Sequence, residues 1–206
     1  MFDYFYYLIK GFGLQSGIVL CLIVSVITTI VIMSSVIVIG FIVDKFEALQ
    51  YRFLARVFSK KTAFRICNYL TFPGVMIHEL SHALVAWFTG AKVTELRLLE
   101  PASNGRLGHV SFSTRGPKSR RSVQLSFTSC APVITGMILV PTFFKVIFRH
   151  SLSIGWVCFF WYMLVSVADH MSMSEADVKN YLRGIVRLIP IIFGFSLFVT
   201  YLLIDK

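Results

Sequence analysis

From Gly17 to Val43 the chain runs without one charged side chain. About 27 residues at 1.5 Å each exceed the roughly 30 Å hydrocarbon core of a bilayer. Within lipid a single segment can satisfy its own backbone only as a helix, so this stretch reads as a tilted transmembrane helix. Further apolar runs follow at 67–89, 126–148, 152–167 and 184–203. The expected fold is an all-α polytopic membrane protein with about five membrane segments. Composition agrees: 56% of the 206 residues are hydrophobic and 15% charged, too apolar for an ordinary soluble domain. Ahead of the first run, Phe2, Tyr4, Phe5, Tyr6 and Tyr7 form an aromatic cluster suited to the headgroup level. The run itself is longer than the 7 to 15 residues or so of a signal-peptide core, so it is expected to stay in the mature protein.

The polar stretches between the apolar runs divide the single membrane-embedded domain, 1–206. In 44–66, Lys45, Arg52, Arg56, Lys60, Lys61 and Arg65 alternate at near-helical spacing with Phe46, Leu49, Phe53, Leu54, Val57 and Phe58. This predicts a basic amphipathic segment at the cytoplasmic interface. In 90–125, Val93–Leu99 and His109–Ser113 alternate around Gly105 and precede a basic loop, Arg115–Arg121, which predicts a small membrane-associated β-hairpin. Lys and Arg total 20 against 10 acids, for a net charge of +10. Because these cations flank apolar runs, the expected partner is a bilayer with anionic headgroups and not nucleic acid. Basic residues stand on both sides of the 67–89 run, so charge alone leaves its orientation open. Cys21, Cys67, Cys130 and Cys158 have no C-x-x-C spacing and read as small packing residues.

Inside 67–89 lies His78-Glu79-Leu80-Ser81-His82. With 5 His in 206 residues, H-E-x-x-H is expected by chance roughly 0.003 times in such a chain. On a helix His78 and His82 project from one face, where two imidazoles can bind one Zn²⁺. Glu79 sits about 100° further round, placed to accept a proton from an attacking water instead of ligating the ion. The bland alternative is a histidine pair satisfied by buried hydrogen bonds. Three ionisable groups within an apolar membrane run favour the metal, since such groups are costly unless paired or bound. A third ligand is expected in the polar segment 168–180, which holds Asp169, His170 and Asp177; His109 reads more simply as a strand residue.

His78–Ala86, followed by Gly90-Ala91-Lys92-Val93, resembles the zinc helix of the site-2 protease family of intramembrane zinc metalloproteases and its turn into a β-hairpin. The similarity in order of parts extends over about 72–203. Ala131-Pro132-Val133-Ile134-Thr135 stands where that family has G-P-x-x-N, with Ala for Gly and Thr135 for Asn. The family's third ligand is the aspartate of an L-D-G motif, and the match by position is Asp177, between Ala176 and Val178. Ser174 can cap a helix starting there, whereas Asp169 would end one, at the unfavourable pole of its dipole.

The resemblance implies a zinc metalloendopeptidase with His78, His82 and Asp177 as ligands and Glu79 as general base. Its substrate would be a transmembrane segment of another protein that unwinds locally, because helical carbonyls are occupied. Asn180, Thr135, His170 and Lys179 are candidates for oxyanion or substrate contact, and the residues do not choose among them. Substrate selection falls to the hairpin, the amphipathic segment, or a partner such as a second copy or a regulator. Two other classes compete: a non-proteolytic membrane scaffold or sensor with a structural zinc site, and a small ion transporter using His78, Glu79 and His82 as a relay.

Overall fold

The computed structural model describes residues 17–101, 107–149 and 151–204. The N-terminal aromatic cluster and Gly105 lie outside the described residues. Helix α1, Gly17–Val57, is 41 residues long. The segment 44–57 contains no Gly or Pro to stop the helix, so the basic amphipathic stretch continues the helix of the first apolar run for most of its length. Ser59 then caps the short α2, Lys60–Arg65, its hydroxyl accepting from the Thr62 N–H at 3.2 Å. A single π-helical turn, Ile66–Leu70, leads into α3, Phe72–Phe88, which carries the H-E-x-x-H residues and has Pro73 in its first turn.

Gly90, at φ 81°, ends α3. The Ala91 N–H donates to the Ala86 carbonyl at 2.8 Å and the Gly90 N–H to the Trp87 carbonyl at 3.0 Å, a Schellman closure that needs the left-handed glycine. The chain reverses directly into β1, Lys92–Pro101, which pairs antiparallel with β2, Leu107–Ser113. Val93 faces Phe112 and Arg97 faces His109, with irregularities between Val93 and Glu95 and between Arg97 and Pro101. The predicted hairpin is therefore present. Three helices follow: α4, Lys118–Arg149, with Pro132 and Pro141 inside it; α5, Ile154–His170; and α6, Glu175–Ile204, with Pro190 inside it.

Helices α1, α4 and α6 are long and apolar enough to cross a membrane. The 17 residues of α3 and of α5 give each about 26 Å, a little short of a typical hydrocarbon core. The helices expose Phe88, Trp156 and Phe195 while Ser126, Thr128, Ser166 and Thr200 are buried. Apolar outside and small polar inside is the pattern of helices that face lipid.

The chain divides into two compact units, 36–184 and the pair of terminal segments 1–35 with 185–206. In the terminal unit Leu20 and Val24 form a small buried cluster, with Ser25, Thr29, Ser196 and Thr200 also buried. In the central unit α3 packs on α4, α5 and both strands. Gly74 permits the approach of α3 to α5: a Cβ there would stand 1.9 Å from the Ser166 carbonyl oxygen. Between α4 and α6, the Ser126 hydroxyl donates to the Tyr181 carbonyl at 2.9 Å.

Candidate metal centre

The centre lies wholly in the central unit, where α3 supplies His78 and His82 one helical turn apart on one face. Their Nε2 atoms are 3.3 Å apart. Helix α6 contributes Asp177, whose Oδ2 lies 3.8 Å from His82 Nε2. The ligand atoms of all three residues lie within 4.8 Å of one another, so this group could hold a metal ion. Tetrahedral ligands at about 2.0–2.1 Å from zinc stand about 3.3–3.4 Å apart, and the histidine pair is at that spacing.

What fixes the rings is backbone. His78 Nδ1 donates to the His170 carbonyl at 2.6 Å, and His82 Nδ1 donates to the Thr128 carbonyl at 2.7 Å. With both Nδ1 protons committed, neutral rings present two Nε2 lone pairs to each other. Two acceptors at 3.3 Å repel unless a cation or a proton lies between them. Asp177, its side chain 15% exposed, adds a third acceptor. Nitrogen and oxygen donors of this kind suit zinc.

Asp177 owes its place to the start of α6. The Asp177 N–H donates to Ser174 Oγ at 3.1 Å, and Asp177 Oδ2 accepts from the Ser174 N–H at 3.1 Å and from the Ser174 hydroxyl. This is a reciprocal capping box, with aspartate at the third helical position. It satisfies two orphan helix donors and points the carboxylate back toward α3. The carboxylate also lies in the first turn, at the favourable pole of the helix dipole.

Glu79, one residue from His78, shares with it a cavity of about 50 Å³ into which Glu47, Asn68, His170 and Ser172 also face. Gly108 of β2, at φ 80°, packs against its stem; a Cβ there would meet Glu79 Cγ at 3.2 Å. The hairpin thus covers the proposed base.

His170, which also faces this cavity, serves the site through both its carbonyl and its ring. Its carbonyl serves His78, while its Nε2 lies 2.7 Å from Thr71 Oγ1. The Thr71 hydroxyl donates to the Cys67 carbonyl at 2.6 Å, so its oxygen accepts from His170 Nε2–H. Ser166 completes a clasp between α3 and α5. Its hydroxyl donates to the Thr71 carbonyl at 2.8 Å and accepts the Gly74 N–H at 2.7 Å.

Of the remaining candidates, Asp169 and His109 are not among the three residues whose ligand atoms converge. Asp169 is buried at the end of α5. Thr135 is half-buried on α4, and Asn180 is half-buried on α6 with its carbonyl 3.5 Å from Ser126 Oγ. Lys179 is exposed on a groove that Asp44 and Lys45 also line. His109 pairs on the hairpin with Glu95, Nε2 to Oε2 at 3.3 Å. Arg97, two residues along the same strand face, donates to the Glu95 carboxylate and holds it below the usual carboxylate range; the His109 contact adds to the effect. The cysteines form no disulfide.

Sequence reasoning missed Thr71, Ser166 and the Thr128 carbonyl. The first is a turn residue and the second a helix residue, and their partners lie 92 to 99 positions away. Thr128 had a local signal: Pro132, four residues on, can offer its carbonyl no helical N–H.

No protein-family model, curated protein or solved structure matches this chain.

Proposed function

We propose that this chain is an intramembrane zinc metalloendopeptidase of the site-2 protease kind, a multi-pass protein cutting peptide bonds in or near transmembrane segments of other membrane proteins. The observation that carries the reading is the convergence of His78, His82 and Asp177 beside Glu79, within a unit whose helices turn apolar faces outward. Three protein ligands are the number typical of catalytic zinc, whereas closed structural sites take four. In this reading α3 and α5, each about 26 Å long, are two further membrane segments beside α1, α4 and α6. The basic segment 44–66 lies on the cytoplasmic side, against anionic headgroups.

A zinc ion held by these residues supplies a lowered water pKa and a polarised peptide carbonyl. The chain's own groups do the rest. Glu79 takes the proton of the attacking water and returns it to the departing amine nitrogen. The cavity beside it, at about 50 Å³, has room for a few water molecules at roughly 10–15 Å³ of probe volume each. The carbonyls of His170 and Thr128 hold the two imidazoles in place throughout, so no ligand has to reorganise during the reaction. The substrate must present an extended backbone, since a helical segment has its carbonyls occupied.

Chelation tests the reading. Purified protein in detergent, given a membrane protein with a helix-destabilised transmembrane segment, should lose cleavage when zinc is stripped and regain it on stoichiometric zinc. Cleavage that continues at full rate in the stripped protein rules the reading out.

A further inference from the structure

The two histidines are oriented by carbonyls that are spare for different reasons. His170 is the last residue of α5, where a helix leaves its final carbonyls without intrahelical partners. Thr128 lies well inside α4, where each carbonyl ordinarily accepts the N–H four residues on. Four residues on is Pro132, which has no N–H to give. Thr128 is fully buried and Pro132 is buried with it, so water does not take the donor's place. The donor that does reach this carbonyl is His82 Nδ1, at 2.7 Å.

We propose that Pro132 is a positioning residue of the metal centre. By withholding an N–H it reserves the Thr128 carbonyl for His82, fixes the ring with its proton on Nδ1, and leaves Nε2 facing His78 and Asp177. The inference rests on the metal reading and adds a cause for it. An interior proline weakens a helix, and here the bond lost from the helix is recovered as the bond that holds a ligand. The Ser126 hydroxyl, on the same stretch of α4, bonds the Tyr181 carbonyl of α6. One segment of α4 thus serves both the second histidine and the helix that carries Asp177.

The test compares two replacements at position 132 in the full chain. Pro132→Ala restores an N–H that competes for the Thr128 carbonyl. Lactic acid at the same position, introduced by nonsense suppression, has the side chain of alanine and no N–H. Two properties are measured: zinc affinity, by competition with a chromophoric chelator, and the protonation pattern of the His82 ring in the metal-free protein, by nitrogen-15 NMR. The alanine variant is expected to bind zinc roughly 10- to 100-fold more weakly and to show a share of His82 protonated on Nε2. Its metal-free Tm should equal or exceed wild type, because alanine favours the helix. The lactic acid variant should keep wild-type affinity and tautomer. Wild-type affinity in the alanine variant overturns the proposal, and so does equal weakening in both variants, which would assign the effect to the lost ring. A wild-type chain that binds no zinc overturns the metal reading itself, whereas wild-type binding indifferent to the N–H overturns this proposal alone.

Discussion

Glu79→Gln is expected to lower peptide cleavage by roughly 10²- to 10⁴-fold, the usual contribution of a general base, while zinc content stays at the wild-type level. The two halves of that expectation come from different observations. Zinc should be retained because the convergent ligand atoms belong to His78, His82 and Asp177. Cleavage should fall because glutamine keeps the volume of glutamate in the cavity shared with His78 but takes no proton from water. The packing of Gly108 against the Glu79 stem should survive an isosteric change, so Tm should move little. Cleavage by the glutamine variant at the wild-type rate would remove Glu79 from its role. Loss of zinc along with activity would make it a ligand instead.

Asp177→Ala should be the most damaging single change to metal binding outside the histidines. It removes a ligand and one half of the capping box that starts α6, so two effects must be separated. Losing the cap costs about 1 kcal/mol of stability. Losing one of three ligands should weaken zinc by more than the 10- to 100-fold typical of an outer-shell partner. Ser174→Ala separates them, since it removes the hydroxyl of the cap and leaves the carboxylate. The expected order of zinc affinity is wild type, then Ser174→Ala within about 100-fold, then Asp177→Ala below both. Full zinc occupancy in Asp177→Ala, measured by elemental analysis of the purified protein, would contradict the assignment.

The parts of this architecture governed by local rules could be read from the sequence. His78 and His82 are four apart in an apolar run, and helical periodicity alone puts them together. Ser174 and Asp177 are three apart at a helix start, and capping chemistry joins them. Gly90-Ala91 marks the end of α3, and the alternation after it gives the hairpin. What could not be read depends on tertiary approach. The expectation separated the apolar run 17–43 from the amphipathic segment 44–66; one helix runs through both as far as Val57, because a charged side chain does not break backbone hydrogen bonds and no Gly or Pro follows Asp44 before Val57. His170 stood as an alternative third ligand and as a candidate substrate contact; the bonds of its carbonyl to His78 and of its ring to Thr71 are what composition cannot reveal. Pro132 shows that a locally legible fact, a missing N–H, has meaning only once the facing helix is known.

The central claim is that one zinc ion is held by His78, His82 and Asp177 beside Glu79. Zinc-edge X-ray absorption on the full chain, loaded with one equivalent of zinc, tests it most directly. The predicted shell is four-coordinate and free of sulfur, with two imidazole nitrogens and oxygen donors at about 2.0–2.2 Å, and it should lose occupancy in Asp177→Ala. A zinc–sulfur distance near 2.3 Å, or an identical shell in the Asp177 variant, would contradict it.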